Sequence, residues 1–452
     1  MKGPIVTDKK SVSRELPVPS GRLTRLARFG GLASGIAGRA AIQGARNIAQ
    51  GKRPAAKELL LTPANARRMA EQLAQMRGAA MKVGQLISMD AGDMLPPELA
   101  DIMGRLRADA HYMPGGQLKK VLNANWGENW LKRFEKFNAR PIAAASIGQV
   151  HRARTKDGHD LAIKVQYPGV RKSIDSDVNN VASLMRLSGA LPKSLDIAPM
   201  LDEAKRQLHE EADYERESRY LTRFATLLRD DPSLAVPDLH ENLTTTDVLA
   251  MTYLDGMPVD SLTSAPQQER DRVTELLIDL LFRELFEFRL MQTDPNFANY
   301  RYDPHTGRII LLDFGASREF TPQTVTAFRR LMAAGLARDR AAIRNAIVDI
   351  GFFDEHTKNH NQEAIIDMFE LSMTPLHRPG KFDFAETDIA LRMRDAAMKL
   401  GADRDFWHIP PMETLFMQRK FGGIYLLATR LKARVDLRAL LEKNLTHAWT
   451  AR

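Results

Sequence analysis

The chain has 452 residues, 44% of them apolar and 27% charged. At roughly 100–200 residues per domain it accommodates two or three structural units with sizeable cores, and the composition excludes a largely disordered chain. The absence of cysteine excludes disulfide frameworks, thiolate metal sites and cysteine nucleophiles. The net charge of +9 sits unevenly: residues 1–70 hold 14 Lys or Arg against 3 Asp or Glu, and the remaining 382 residues are nearly neutral at −2. A basic arm of this kind suits anionic lipid, an acidic partner or nucleic acid. No stretch approaches 18 consecutive apolar residues, so no segment reads as membrane-spanning.

Residues 1–24 mix Pro, Ser and charges without periodicity and are expected to be a disordered basic arm. From Arg25 to Gly51 glycines recur among Ala, Ile and Leu. This pattern suits either closely approaching helices or a flexible linker. A helical pattern follows from Asn65 to Met89, with Met69, Leu73, Met76, Ala80, Val83 and Ile87 on one face. Leu95–Leu99 turns into another helix, and a helical extension spanning 25–114 ends near Pro114. A helix is then predicted over Leu118–Phe134. Between Pro141 and Val165 the period shifts to that of strands, with a hairpin around Asp157-Gly158. Helical pattern returns from about Val178 to Leu228, followed by strand signals at Leu234–Pro237 and Asp247–Tyr253. After Asp255-Gly256 nearly everything reads as helix, apart from a short strand pair around Arg308–Gly315.

Four constellations can carry chemistry. The run Ala143–Ala153 followed by Leu161–Val165 places a tight turn of small residues before a strand bearing Lys164. Such a turn can bring backbone N–H groups to phosphates, with the lysine beneath it; a plain hairpin with one exposed lysine is the competing reading. Downstream, Asp294 precedes Asn299 by five residues and Asp313 by 19. A carboxylate that orients an acceptor, with a carboxamide and a second carboxylate as hard oxygen ligands for Mg²⁺, is the set that phosphoryl transfer needs. The acidic run Gln207–Ser218 contains Glu211, Asp213 and Glu217, one of which can pair with Lys164. Finally, Lys82 is the only charge between Arg77 and Asp90, so it either snorkels to water or has a buried acidic partner.

Taken together, these residues resemble the AarF/UbiB family of atypical kinase-like ATPases implicated in ubiquinone biosynthesis. The resemblance rests on a KxGQ helix (Lys82-Val83-Gly84-Gln85), an alanine-rich loop (Ala143, Ala144, Ala145, Ser146, Ile147, Gly148) and an ExD motif (Glu211-Ala212-Asp213). It implies that Lys164 holds the nucleotide phosphates with Glu217 as its helix partner, that Asp294 is the catalytic aspartate, and that Asn299 and Asp313 bind Mg²⁺. It also implies that Lys82 and Gln85 reach the nucleotide pocket, Lys82 pairing with Glu211, and that Met251 and Tyr253 lie where a kinase hinge holds adenine. No APE-like sequence follows Asp313, and Thr321–Met332 turns helical at once, so a peptide-docking activation segment is not expected.

The expected fold is α+β: a protein-kinase-like two-lobed fold with a helical N-terminal extension, an N-lobe over 115–254 and a mostly helical C-lobe over 255–452. ATP and Mg²⁺ are the implied cofactors, bound between the lobes. The implied function is ATP turnover supporting ubiquinone synthesis at a membrane surface. Anionic membrane, lipid or quinone intermediates and quinone-biosynthesis proteins are the expected partners, and nucleic acid is disfavoured for want of a recognised binding fold. A catalytically weak nucleotide-dependent scaffold is the rival. A cytoplasmic, peripherally membrane-associated location is expected ahead of organelle transit.

Overall fold

The computed structural model describes residues 78–80, 82–83, 112–187, 197–401, 403 and 410–446. The expected basic arm, the Arg25–Gly51 segment, most of the helical extension and Gln85 lie outside the described residues. The chain divides into two compact units. One holds the described residues up to Arg216 together with Leu239–Tyr253; the other holds Glu217–Asp238 and the chain from Leu254 onward.

The amino-terminal unit is built on a five-stranded antiparallel sheet. Its strands are β1 (Phe134–Phe137), β2 (Ala143–Ala144), β3 (Gly148–Thr155), β4 (Asp160–Gln166) and, later in the chain, β6 (Val248–Thr252). The order is β1-β3-β4-β6, with β2 pairing to β3. Helix α1 (Gly115–Trp126) buries Leu118, Leu122 and Trp126, spaced four apart, against Leu161, Ile163 and Val165 of β4. It ends earlier than the Leu118–Phe134 expected from the sequence. Gly127, at φ 81°, takes a left-handed conformation open to glycine, and Phe134 begins a strand. Trp126, Trp130, Phe134 and Phe137 form an aromatic cluster there, and the Trp126 indole N–H donates to the Leu243 carbonyl at 3.0 Å.

The expected hairpin is β3–β4, with Gly158 at φ 92° in its turn. Because β4 alternates, Ala162, Lys164 and Gln166 point away from α1, and they too are buried. Helices α2 (Val170–Leu187), α3 (Ala198–Glu211) and α4 (Tyr214–Leu227) follow. The acidic run expected on one helical segment is therefore split between α3 and α4. Asp213 caps α4, its Oδ1 accepting from the Arg216 N–H at 2.9 Å.

A buried polar chain runs through β3. The Met113 N–H donates to Gln149 Oε1 at 2.9 Å, Gln149 Nε2 to His151 Nε2 at 2.9 Å, and His151 Nδ1 to the Asn138 carbonyl at 2.8 Å. That arrangement requires a neutral imidazole, and burial lowers the His151 pKa below its ordinary 6.5 against the opposing pull of the Asn138 carbonyl. The unfolded chain then binds this proton more readily than the native state does. Stability should therefore fall as pH drops below about 6.5, by at most ~1.4 kcal/mol per pH unit from this group. Urea midpoints at pH 7.5 and 5.5 should show a smaller drop in His151→Asn than in wild type; an equal drop refutes the assignment.

The carboxyl-terminal unit is mainly helical, but the expectation of one strand pair is corrected. A four-stranded sheet runs β5 (Leu234–Ala235), β10 (Ile309–Leu311), β9 (Tyr300–Tyr302), β7 (Met257–Pro258). Separate pairs join β8 (Leu290–Gln292) to β11 (Ser317–Glu319) and β12 (Phe382–Asp383) to β13 (Arg434–Val435). Strands of two or three residues are too short to display a period of two. Around them lie α5 (Gln267–Phe286), α6 (Pro322–Ala337), α7 (Arg340–Ile350), α8 (Asn359–Met373), α9 (Ile389–Gly401), α10 (Met412–Leu431) and α11 (Leu437–Thr446). Thr321 caps α6, accepting from the Thr324 N–H at 3.1 Å, so only β11 and its flanking turns separate Asp313 from that helix. Among the described residues no helix is long and apolar enough to cross a membrane.

Candidate active site

In the amino-terminal unit, the alanine-rich loop is the tight turn joining β2 to β3. Ala144 pairs with Gln149, the Ala145 N–H donates to the Gly148 carbonyl at 2.8 Å, and the Tyr167 N–H to Ile147 O at 2.9 Å. Gly148 is demanded by packing: a Cβ there would lie 2.4 Å from the Val165 carbonyl and 3.0 Å from the Tyr214 hydroxyl. Ala143 is exposed, and Ala144, Ala145 and Ser146 are half-buried.

The helical segment carrying Lys82 sits directly on this turn. A Cβ at Gly78 would lie 3.0 Å from the Ser146 carbonyl. Buried Lys82 forms an ion pair with Glu211, whose other oxygen accepts from the Ser146 hydroxyl at 2.9 Å. One carboxylate at the end of α3 thus ties the Lys82 helix to the alanine-rich turn. Gln166 holds the same corner by donating to the Ala212 carbonyl at 2.7 Å. Each residue of the ExD motif is accordingly fixed: Glu211 by an ion pair, Ala212 through its carbonyl, and Asp213 as a cap. Removing the Lys82 ammonium leaves Glu211 tied to Ser146 alone and unties the Lys82 helix from the turn, so Lys82→Ala should shift affinity for the nucleotide that the resemblance implies by about 0.5–2 kcal/mol. Titration with a fluorescent nucleotide measures this, and unchanged affinity refutes the coupling.

Lys164, also buried, lies opposite Val150 and Leu249 on β4, its ammonium 5.2 Å from the centre of the Tyr214 ring. Met251 is buried and pairs with Ala162. The Tyr253 N–H donates to the Asp160 carbonyl at 2.8 Å, and the Tyr253 ring lies 4.0 Å from the Arg152 guanidinium.

The carboxyl-terminal unit gathers the remaining predicted residues at the ends of short strands. Leu311 opposes Tyr300 in the β9–β10 ladder, and the Leu312 N–H extends it by donating to the Asn299 carbonyl at 3.1 Å. Asn299 and Asp313 therefore leave neighbouring strands side by side. Asn299 Nδ2 donates to Asp294 Oδ2 at 3.1 Å, and Asp313 Oδ1 accepts from the Gly315 N–H at 3.0 Å. Glu217 is buried on α4, and a Cβ at Gly315 would lie 3.4 Å from both its Oε2 and Asp313 Oδ1. Phe314 locks this turn by packing on Phe224 of α4, ring centres 5.0 Å apart. The donor set fits a hard divalent cation. Asn299 spends its N–H on Asp294, and its carboxamide oxygen and the Asp313 carboxylate are donors of the hard oxygen type that such an ion takes.

Three contributors to this site carry no motif in the sequence. Arg419 Nη2 donates to Asp294 Oδ1 at 2.8 Å. Buried Lys420 donates to Gln292 O and the Tyr300 hydroxyl, both at 2.7 Å, and pairs with buried Glu284 at 3.1 Å.

Comparison with known proteins places this arrangement. Residues 105–347 match the ABC1 atypical kinase-like domain. The chain is 37% identical to "Atypical kinase COQ8, mitochondrial" of Saccharomyces cerevisiae, across 96% of its own length and 87% of the yeast protein. The chain belongs to the ABC1 atypical kinase-like family. "Atypical kinase COQ8B, mitochondrial" of Rattus norvegicus is 36% identical, covering 97% of this chain and 83% of the rat protein. The fold of this ABC1 chain is similar to the solved Rv3197–erythromycin complex of Mycobacterium tuberculosis. The TM-score is 0.57 at 23% identity, covering 84% of this chain and 95% of that one. The α+β kinase-like two-lobed fold class expected from the sequence is the one observed. The expected location is corrected: relatives along nearly the whole chain are named as mitochondrial proteins, which overturns ranking a cytoplasmic site ahead of organelle transit.

Proposed function

We propose that this ABC1 chain binds ATP with Mg²⁺ and turns it over in support of ubiquinone biosynthesis, working at a membrane surface. The role in ubiquinone biosynthesis follows from its relation to the COQ8 atypical kinases along nearly its full length. The amino-terminal unit contributes Lys164 for the α- and β-phosphates, with Ala143–Gly148 as the phosphate-facing turn and Met251 and Tyr253 as adenine contacts. The carboxyl-terminal unit contributes Asn299 and Asp313 as metal ligands and Asp294 to orient the attacking oxygen, with Glu217 beside the metal carboxylate. A bound magnesium ion supplies neutralisation of phosphate charge.

One observation carries the reading: the β9–β10 ladder sets Asn299 opposite Leu312, the residue before Asp313, while the Asn299 amide reaches Asp294. This nearness of three residues separated in sequence supports a shared metal–triphosphate site. The short passage from Asp313 to Pro322, where α6 begins, leaves little room for a peptide-docking segment, which favours water or a small or lipid-like acceptor over a protein. Anionic lipid and quinone intermediates are the partners this reading implies, and the basic amino-terminal arm is suited to such a surface. The test is phosphate release from Mg-ATP by the full chain, with and without vesicles containing anionic lipid. Release that Asp313→Asn eliminates supports an ATPase; release at buffer level in every condition leaves a nucleotide-dependent scaffold.

A further inference from the structure

Helix α10 lies beyond residue 347, where the matched kinase-like domain ends, yet it grips the Gln292–Pro295 segment at three successive points. Arg419 reaches Asp294, and Lys420 reaches Gln292 through both the backbone oxygen at 2.7 Å and Oε1 at 3.2 Å. Gly423 lies so close that a Cβ there would stand 2.1 Å from the Pro295 Cβ. Downstream in the sequence the next basic residue is Arg301, whose Nε is engaged with the Gly256 carbonyl at 2.7 Å. With Asn299 on one oxygen of Asp294 and Arg419 on the other, the carboxylate plane is fixed from both sides. The Arg419 side chain is only 16% exposed, so water competes weakly for this contact.

We propose that Arg419 is a positioning residue for ATP turnover, holding the Asp294 carboxylate in the orientation that aligns the attacking oxygen. The inference rests on the reading of Asp294 given above. It assigns Arg419 no contact with nucleotide, so its loss should slow the chemical step and leave binding alone. In Arg419→Gln, kcat for Mg-ATP should fall about ten- to hundredfold. KM and nucleotide affinity should stay within twofold of wild type. Arg419→Lys keeps the charge without the planar fork and should recover part of the rate. Arg430→Gln, on the same helix but paired with Asp260 of a distant 3₁₀ turn, should behave as wild type.

The double variant Arg419→Gln/Asp294→Asn should be no slower than Asp294→Asn alone, because Arg419 acts through that carboxylate. A slower double variant, a loss confined to KM, or Arg419→Gln within twofold of wild type while Asp294→Asn is inactive overturns the proposal. Wild-type turnover in Asp294→Asn defeats the reading of Asp294 itself, a different outcome. Amide hydrogen exchange over residues 292–299 gives a readout independent of turnover: it should quicken in Arg419→Gln and not in Arg430→Gln. If Arg419→Gln fails to fold, Arg419→Lys is measured in its place, and wild-type kcat together with wild-type exchange then overturns the assignment.

Discussion

Replacing Lys420 with methionine is expected to destabilise the carboxyl-terminal unit by about 3–5 kcal/mol, the usual cost of stranding one member of a buried ion pair. The Lys420 and Glu284 side chains are 2% and 1% exposed, and their charged atoms lie 3.1 Å apart. Burial alone would lower the Lys420 pKa, yet the Glu284 carboxylate and Tyr300 hold it above its ordinary value. Burial raises the Glu284 carboxyl against the pull of the same ammonium. Methionine fills similar volume, so the loss is electrostatic rather than a cavity. It also strips donors from Gln292 O and the Tyr300 hydroxyl, beneath the segment that carries Asp294. Glu284→Gln in the same chain should restore a large part of the loss, because no unpartnered carboxylate remains. Urea unfolding of the single and double variants decides the matter. A single-variant loss below about 1 kcal/mol would show that the pair contributes little.

That pair also marks where sequence reading stops. The β3–β4 hairpin is legible because seven- and eight-residue strands show their period around a Gly-containing turn. Of the strands that position Asn299 and Asp313, β10 falls within the expected Arg308–Gly315 pair, whereas β9, three residues long and specified by contacts distant in the chain, is invisible. The ExD segment reads as continuous helix because its acidic residues suit helix and cap alike; the Gln166 bond to Ala212, 46 residues away, holds the corner where α3 gives way to α4. Lys82 illustrates a middle case. Its isolation in an apolar stretch signals a buried partner, and the family resemblance names Glu211, the residue with which it pairs.

Arg419 and Lys420 give weaker signals. Two adjacent cations on a predicted helix ordinarily read as a solvated face, and helical spacing says nothing about Asp294, 125 residues earlier. The usable hint is Gly423 in a long helix, since an interior glycine there calls for a close neighbour, which is Pro295. Motifs therefore reveal the residues proposed to meet nucleotide and metal, whereas the residues that aim them come from tertiary packing alone.

Asp313→Asn should reduce ATP turnover by about 10²–10³-fold, the scale on which loss of one preorganised electrostatic contact acts. The carboxamide introduced there would retain an oxygen to accept the Gly315 N–H now bonded at 3.0 Å, so the turn after β10 has no reason to open. Thermal stability should therefore hold while activity collapses, a combination that misfolding cannot produce. Because the variant weakens a proposed Mg²⁺ ligand rather than a nucleotide contact, the apparent Mg²⁺ requirement should climb, and added Mg²⁺ should recover some rate. Phosphate release across a Mg²⁺ titration, with melting curves on the same samples, measures both effects. Wild-type turnover at limiting Mg²⁺ would remove Asp313 from the metal site and leave Asn299 without the partner that the β9–β10 ladder sets beside it.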